Sequence, residues 1–339
     1  MTKSTFVGDR RRFLKTSVAF TAMLAAGRAP ALAKAKPRRL ILAANGPPPE
    51  LSAAASKWFC KQVTKRSGGE LLLDFEGGTI ITKEIEVINA VKTGDVAMGS
   101  PIGAAATVFP EMGVFLVPYL ISSYDQAYSL FNGKVGDHLD KVFQKKYDVK
   151  ILYFFDLGFR HFWNSRRPIN TPEDLHGLKL RVQPSKVFVD TINGLGGIAV
   201  PMAWSEVITA AQQGVIDGAD LPVANVVPLK VYEVTKYYSL TRHNYGPTIM
   251  AMNLKIWKSL SQKQQHLLLD VGREAQIRLR NGIDPVDSLA GAKKLLEPHG
   301  LIVNQPDLAP FKKVAREKVW PKYKPKYPDL WQKIVSSQA

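Results

Sequence analysis

The sequence predicts an α/β protein of two lobes, each a mixed, mostly parallel sheet flanked by helices, with a long helix linking the lobes and a cleft between them. Three observations carry that prediction. Apolar runs of strand length alternate with runs of helical period along most of the chain, which implies parallel pairing. Residues 34–339 exceed the usual size of one core, and a chain that is 45 % hydrophobic has material for two. Finally, Glu86–Gly99 aligns without gaps on Glu206–Ala219, sharing Glu-Val-Ile, one alanine and the helix-ending glycine, five identities in fourteen positions. The lobes implied by this echo are 34–157 with 247–286, and 158–246 with 287–339.

Leu40 to Ala44 reads as the first strand, and Asn45-Gly46-Pro47-Pro48-Pro49 as a loop at its carboxyl end, where site residues gather in open α/β sheets. A helix is expected over Glu50–Arg66, broken by Ser67-Gly68-Gly69, then an alternating strand over Glu70–Glu76. Lys83–Lys92 places Ile85, Ile88 and Val91 on one helical face and ends at Gly94; a short strand over Val96–Met98 leads to a loop carrying Ser100. Tyr128–Tyr147 is mainly helical. Lys150–Phe155 is a continuous apolar run, as in a strand buried on both faces, and it empties into a loop bearing Arg160.

Thr171, Pro172 and Asp174 then spell a helix start with a capping box, and Gly177 ends that turn. Leu178, Leu180 and Val182 alternate with Lys179 and Arg181 until Pro184, which cannot donate to a ladder. Arg181 therefore stands at a strand's carboxyl end, either receiving an anion through its two-pronged guanidinium, tied to a neighbouring carboxylate or left in solvent. Ser185 starts a helix carrying Val187, Phe188 and Ile192, and Ser205 caps the next, with Trp204 either facing the cleft or stapling the helix. Asp217 and Asp220 are open to structural or acid–base roles. His243-Asn244-Tyr245-Gly246-Pro247 reads as a loop before a strand over Thr248–Met252.

Ser261 opens a long helical region reaching about Glu297, which Asp284-Pro285 should kink or divide. The proline-interrupted tail from Trp320 to Trp331 is expected to pack on the surface. Cys60, the single cysteine, sits beside Trp58, Phe59 and Val63 and reads as a packed thiol; no internal disulfide is possible.

At the amino end, Arg10-Arg11-Arg12-Phe13-Leu14-Lys15 precede an apolar run from Val18 to Ala26 that is too short to cross a bilayer. With Ala31-Leu32-Ala33 as the cleavage pattern, residues 1–33 read as a twin-arginine export signal, cleavage falls near Ala33, and the mature chain has no transmembrane helix of its own. The signal holds six of the 46 basic residues and one of the 29 acids, so the remainder stays basic at +12. The charge is spread along the chain without any zinc-finger spacing, which excludes nucleic acid as the partner and favours small acids.

Gly-x-Ser-x-Gly, His-Glu-x-x-His and Walker patterns are absent, and the six histidines show no ligand spacing, so neither metal nor cofactor is expected. Gly158-Phe159-Arg160, then Pro168-Ile169 through Gly177-Leu178-Lys179-Leu180-Arg181-Val182, then Pro201-Met202-Ala203-Trp204-Ser205-Glu206-Val207 and Gly214-Val215-Ile216-Asp217-Gly218, resemble the solute-binding subunit of tripartite ATP-independent periplasmic (TRAP) transporters. The resemblance implies a two-lobed periplasmic binding protein, not an enzyme, that closes on a small organic acid. It also implies delivery to small and large TRAP membrane subunits for ion-gradient-driven uptake. Arg181 would grip the carboxylate and Arg160 assist, with Asp220, Leu221, Trp204, Asn45, Ser100, His243 and Asn244 around them. Where the family often reads Glu-Asn-Pro, this chain has Asp220-Leu221-Pro222, which replaces an amide by an apolar side chain. The other reading is an exported cofactor-dependent enzyme acting on an anionic small molecule.

Overall fold

The structure is a computed structural model that describes residues 36–44, 51–78, 81, 83–101 and 105–338. The export signal and Asn45 lie outside the described residues. Among the described residues, nine strands form a single sheet: β1 (Arg38–Ala44), β2 (Leu71–Gly77), β3 (Met98–Ser100), β4 (Val149–Asn164), β5 (Lys179–Val182), β6 (Ile198–Pro201), β7 (Gly218–Leu221), β8 (Tyr237–Asn253) and β9 (Ile302–Asn304). Their order is β2-β1-β3-β8-β4-β7-β5-β6, with β9 beside β8. Both ends pair in parallel, whereas β4 and β8 run antiparallel through the middle and join the ends.

The order is a palindrome, and the sequence echo is its local trace. Helix α1 (Leu51–Arg66) joins β1 to β2 as α3 (Lys186–Leu195) joins β5 to β6; α2 (Glu84–Thr93) precedes β3 as α4 (Trp204–Gln212) precedes β7. Gly94 and Gly214, aligned in the echo, both adopt left-handed backbone after their helices, at φ 89° and 70°. Met98 and Gly218, also aligned, each open a strand.

Helix α5 (Gln262–Ile283) packs with α1 over β4, burying Phe59, Val63, Met250, Val271 and Leu279. Helix α6 (Leu289–Leu296) completes a second cluster through Ala292, Leu296, Val207 and Leu240. The third and largest cluster spans both halves of the sheet, from Val87 and Phe154 to Phe188 and to Phe311 of α7 (Ala309–Lys318). Each fully buried side chain of this size contributes about 1.5–3 kcal/mol. The proline-rich tail turns inward, with Trp331 and Ile334 of α8 (Pro328–Ser336) buried and the Trp320 indole donating to the Pro118 carbonyl at 2.8 Å. Cys60 is buried as expected, and burial, reinforced by the charge of Asp74, pushes its thiol up to about 12.

Several boundaries differ from the sequence reading. Arg160 is not in a loop, because β4 continues to Asn164 with β8 beside it; register shifts between Asp156 and Phe159 and between Arg160 and Phe162 hide the continuation from any alternating pattern. His243–Pro247 likewise lies within β8, where Pro247 is tolerated at the edge of the same irregularity. The strand expected at Val96 begins at Met98, since the Val96 amide bonds back to the Ala90 carbonyl of the preceding helix. Ala203, not Ser205, stands at the cap of α4, because the Met202 amide bonds to Val182 and keeps the chain extended up to that point. Ile85 is exposed, and Val87 takes its place in the core. The helical region around Tyr128 divides at Asn132 and Gly133, and the long helix divides at 284–288.

Candidate functional site

The site is built where the parallel ends of the sheet meet the two long strands. Asp174 accepts hydrogen bonds from the Asn170 and Thr171 amides at 2.8 and 2.9 Å, the expected capping geometry, which fixes the approach to β5. At the carboxyl end of β5, Arg181 is 1 % exposed. Its Nε donates to the Met202 carbonyl at 3.0 Å and its guanidinium lies 5.4 Å from the centre of the Trp204 ring. Trp204 therefore faces the arginine, a cation–π arrangement that strengthens as water is excluded.

Arg160 is bound by Asp220, one of the residues expected around the ligand. Nε and Nη2 donate to the two carboxylate oxygens at 2.7 and 2.8 Å, and Nη2 also donates to the Asp220 carbonyl at 2.7 Å. Burial alone would raise the Asp220 carboxyl, but the Arg160 charge and hydrogen bonds overcome it and hold the group far below the usual carboxylate range. His243 completes the cluster, with Nε2 at 3.2 Å from Asp220 and Nδ1 at 2.8 Å from the Thr241 hydroxyl, its ring stacked on Phe162 at 3.9 Å. Burial lowers the His243 pKa despite Asp220, which favours the neutral ring near pH 7; in that form the network assigns Nε2–H as donor to Asp220 and Nδ1 as acceptor from Thr241.

The other expected residues divide. Leu221 is buried next to Asp220, and its carbonyl accepts from the Tyr238 hydroxyl at 2.6 Å. Ser100 is buried at the end of β3, its hydroxyl 3.3 Å from that of Thr248 on β8. Asn244 is adjacent in sequence but faces elsewhere, donating to the Leu116 carbonyl. Asp217 ties Arg166 to the Lys179 amide, a purely structural arrangement.

One cluster went unread in the sequence. Asp287, in the turn between α5 and α6, is bound by the Tyr124 hydroxyl at 2.7 Å, by Nη1 of Arg242 at 2.9 Å and by Nε2 of His161 at 2.7 Å. A single carboxylate thus joins β4, β8 and the α5–α6 turn. The one available signal was the Asp284-Pro285 helix break beside it. Among the described residues, no group of three or more His, Cys, Asp or Glu could hold a metal ion. Among them, too, no helix is long and apolar enough to cross a membrane.

A palindromic α/β sheet whose parallel ends are joined by the long antiparallel strands β4 and β8, with a buried arginine at the carboxyl end of β5, has the architecture of a solute-binding protein. The sequence pattern of DctP, bacterial extracellular solute-binding protein family 7, matches residues 43–326, and the chain belongs to this family. A solute-binding protein of Verminephrobacter eiseniae is 32 % identical over 254 residues, 75 % of each chain. The TRAP periplasmic solute-binding protein of Pseudomonas putida F1, solved with bound D-glucuronate, superposes with a TM-score of 0.81 at 30 % identity, covering 89 % of this chain and 98 % of its own. A TRAP periplasmic solute-binding protein from Sulfitobacter, solved with bound β-D-galacturonate, gives 0.81 at 28 % identity, covering 88 and 99 %.

Proposed function

We propose that this protein is the exported receptor of a TRAP transporter. It captures a small organic acid between two lobes and delivers it to the small and large membrane subunits, without chemical turnover. The observation that carries the proposal is Arg181, a buried guanidinium at the carboxyl end of β5 against the Trp204 ring. A carboxylate received there gains two parallel charge-assisted bonds in a place water scarcely reaches. Arg160, already engaged by Asp220, then acts as a fixed positive wall near the ligand. Leu221 favours a ligand whose body is partly apolar or presents a sugar-ring face. The hexuronates bound by the Pseudomonas and Sulfitobacter proteins make hydroxylated monocarboxylates the first class to test.

In this proposal residues 1–33 are removed by twin-arginine export, with cleavage near Ala33 and a periplasmic destination. The lobes are 34–157 with 247–286, and 158–246 with 287–339. They close about the irregularities at Asp156–Arg160 and Arg242–Pro247 and the turn at 284–288, supported by left-handed backbone at Gly158 and Arg242. Mass spectrometry of the small molecule that co-purifies with the protein, followed by X-ray scattering with and without it, tests the proposal. A carboxylate and a compaction on binding are expected; a non-acidic ligand, or identical profiles at saturation, would refute it.

A further inference from the structure

A cavity of about 230 Å³ is lined by Tyr119, Ser122, Arg242, Lys312, Arg316 and Gln338 among others, and Arg181, Arg160 and Trp204 are not among its lining residues. Its charge is one-sided. Three cations face it, and no carboxylate is among its lining residues. Lys312 and Arg316 stand four apart on α7, where like charges repel. Neither forms an ion pair among the described residues; Arg316 lies 5.4 Å from the Trp320 ring instead. Of the three cations, only Arg242 has a carboxylate partner, donating through Nη1 to Asp287, and its guanidinium is stacked at 3.9 Å on Phe159. Hydroxyl and amide groups complete the wall. Two cations without a carboxylate partner, with the ion-paired Arg242 and neutral donors beside them, favour an anion in the cavity, because it relieves the repulsion between Lys312 and Arg316 and accepts hydrogen bonds from several sides.

We infer that this cavity is a second anion site, separate from the organic-acid cleft, suited to a small multivalent oxyanion of the phosphate or sulfate kind. The stacked Arg242 supplies a rigid planar donor, and Lys312 and Arg316 supply charge on flexible stems. An anion held there bridges α7 to β8 beside the Asp287 cluster, and so ties the carboxyl-terminal helices to the strands that join the halves of the sheet.

The test titrates the full chain with inorganic phosphate at constant ionic strength, by calorimetry and by thermal unfolding. Wild type should show saturable binding with a rise in Tm. Lys312→Ala/Arg316→Ala should weaken it by at least roughly tenfold. Lys141→Ala/Lys145→Ala removes two exposed lysines with the same spacing on the helix Lys134–Tyr147 and should leave it unchanged, as should Arg181→Ala. Four results would overturn the inference: no saturable effect in wild type, undiminished binding in Lys312→Ala/Arg316→Ala, an equal loss in the control pair, or a loss confined to Arg181→Ala.

Discussion

Asp220 grips Arg160 from two sides, with both carboxylate oxygens on the guanidinium at 2.7 and 2.8 Å and its own carbonyl at 2.7 Å, and both side chains are 3 % exposed. Such a pair is worth far less as a net stabiliser than its breakage costs, because removing one partner strands a buried charge. Asp220→Ala should lose about 3–5 kcal/mol in urea unfolding, and Arg160→Met with Asp220→Leu should lose distinctly less than the two single changes added together. Since the folded Asp220 carboxyl lies below its unfolded value, the pair's contribution is present above about pH 4 and is lost as the pH falls further.

Arg181 makes a different prediction, one about binding. Once the co-purified acid is known, Arg181→Ala should weaken it by about 2–5 kcal/mol, roughly 30-fold to a few thousand-fold, in calorimetric titration. Arg181→Lys should recover only part of that, because an ammonium keeps the charge without the planar fork. Affinity within about threefold of wild type in Arg181→Ala would place the grip elsewhere.

Asp156 predicts a pH dependence of the opposite sense to that of Asp220. Burial raises its carboxyl to about 6, against the opposing hydrogen bonds from Tyr245 and the Gly158 amide. Between about pH 4 and that value the folded chain keeps a proton that the unfolded chain releases, so stability falls as pH rises through the window. Asp156→Asn should therefore melt above wild type near pH 7, and the gap should close at about pH 4.

Gly158 predicts a backbone effect. At φ +92° it adopts a conformation that side chains resist, and an added Cβ would meet Ile283 at 3.0 Å and the Tyr124 hydroxyl at 3.1 Å. Gly158→Ala should cost about 1–2 kcal/mol or more in unfolding free energy. Gly246→Ala, with negative φ and its nearest contact the Gly158 carbonyl at 3.2 Å, should cost less.

Export gives the last prediction. Changing Arg10 and Arg11 together to Lys should stop delivery to the periplasm, measured as mature protein in fractionated cells; wild-type levels there would show another route.

Much of the scaffold was legible because it is local. Glycine stops, the Thr171–Asp174 capping box and the apolar period of α1, α2 and β1 are written in neighbouring residues, and each lies within two residues of its expected place. The echo in Glu86–Gly99 and Glu206–Ala219 went further and exposed a symmetry of the whole sheet, because one unit of helix, glycine and strand was used twice. The Gly-Leu-Lys-Leu-Arg-Val run pointed to the family by the same local means.

Tertiary structure alone decided the middle of the molecule. β4 and β8 are long only because each supplies the other's hydrogen bonds across bulges that erase the strand period, so their continuation through Arg160 and His243 has no sequence signature. It also decided partners. Arg160 meets Asp220 across 60 positions of chain, and Asp287 meets Tyr124 across 163. Sequence spacing names the charges that a fold must answer, but which carboxylate answers which arginine is settled by the distance between side chains once burial has removed water as the alternative partner.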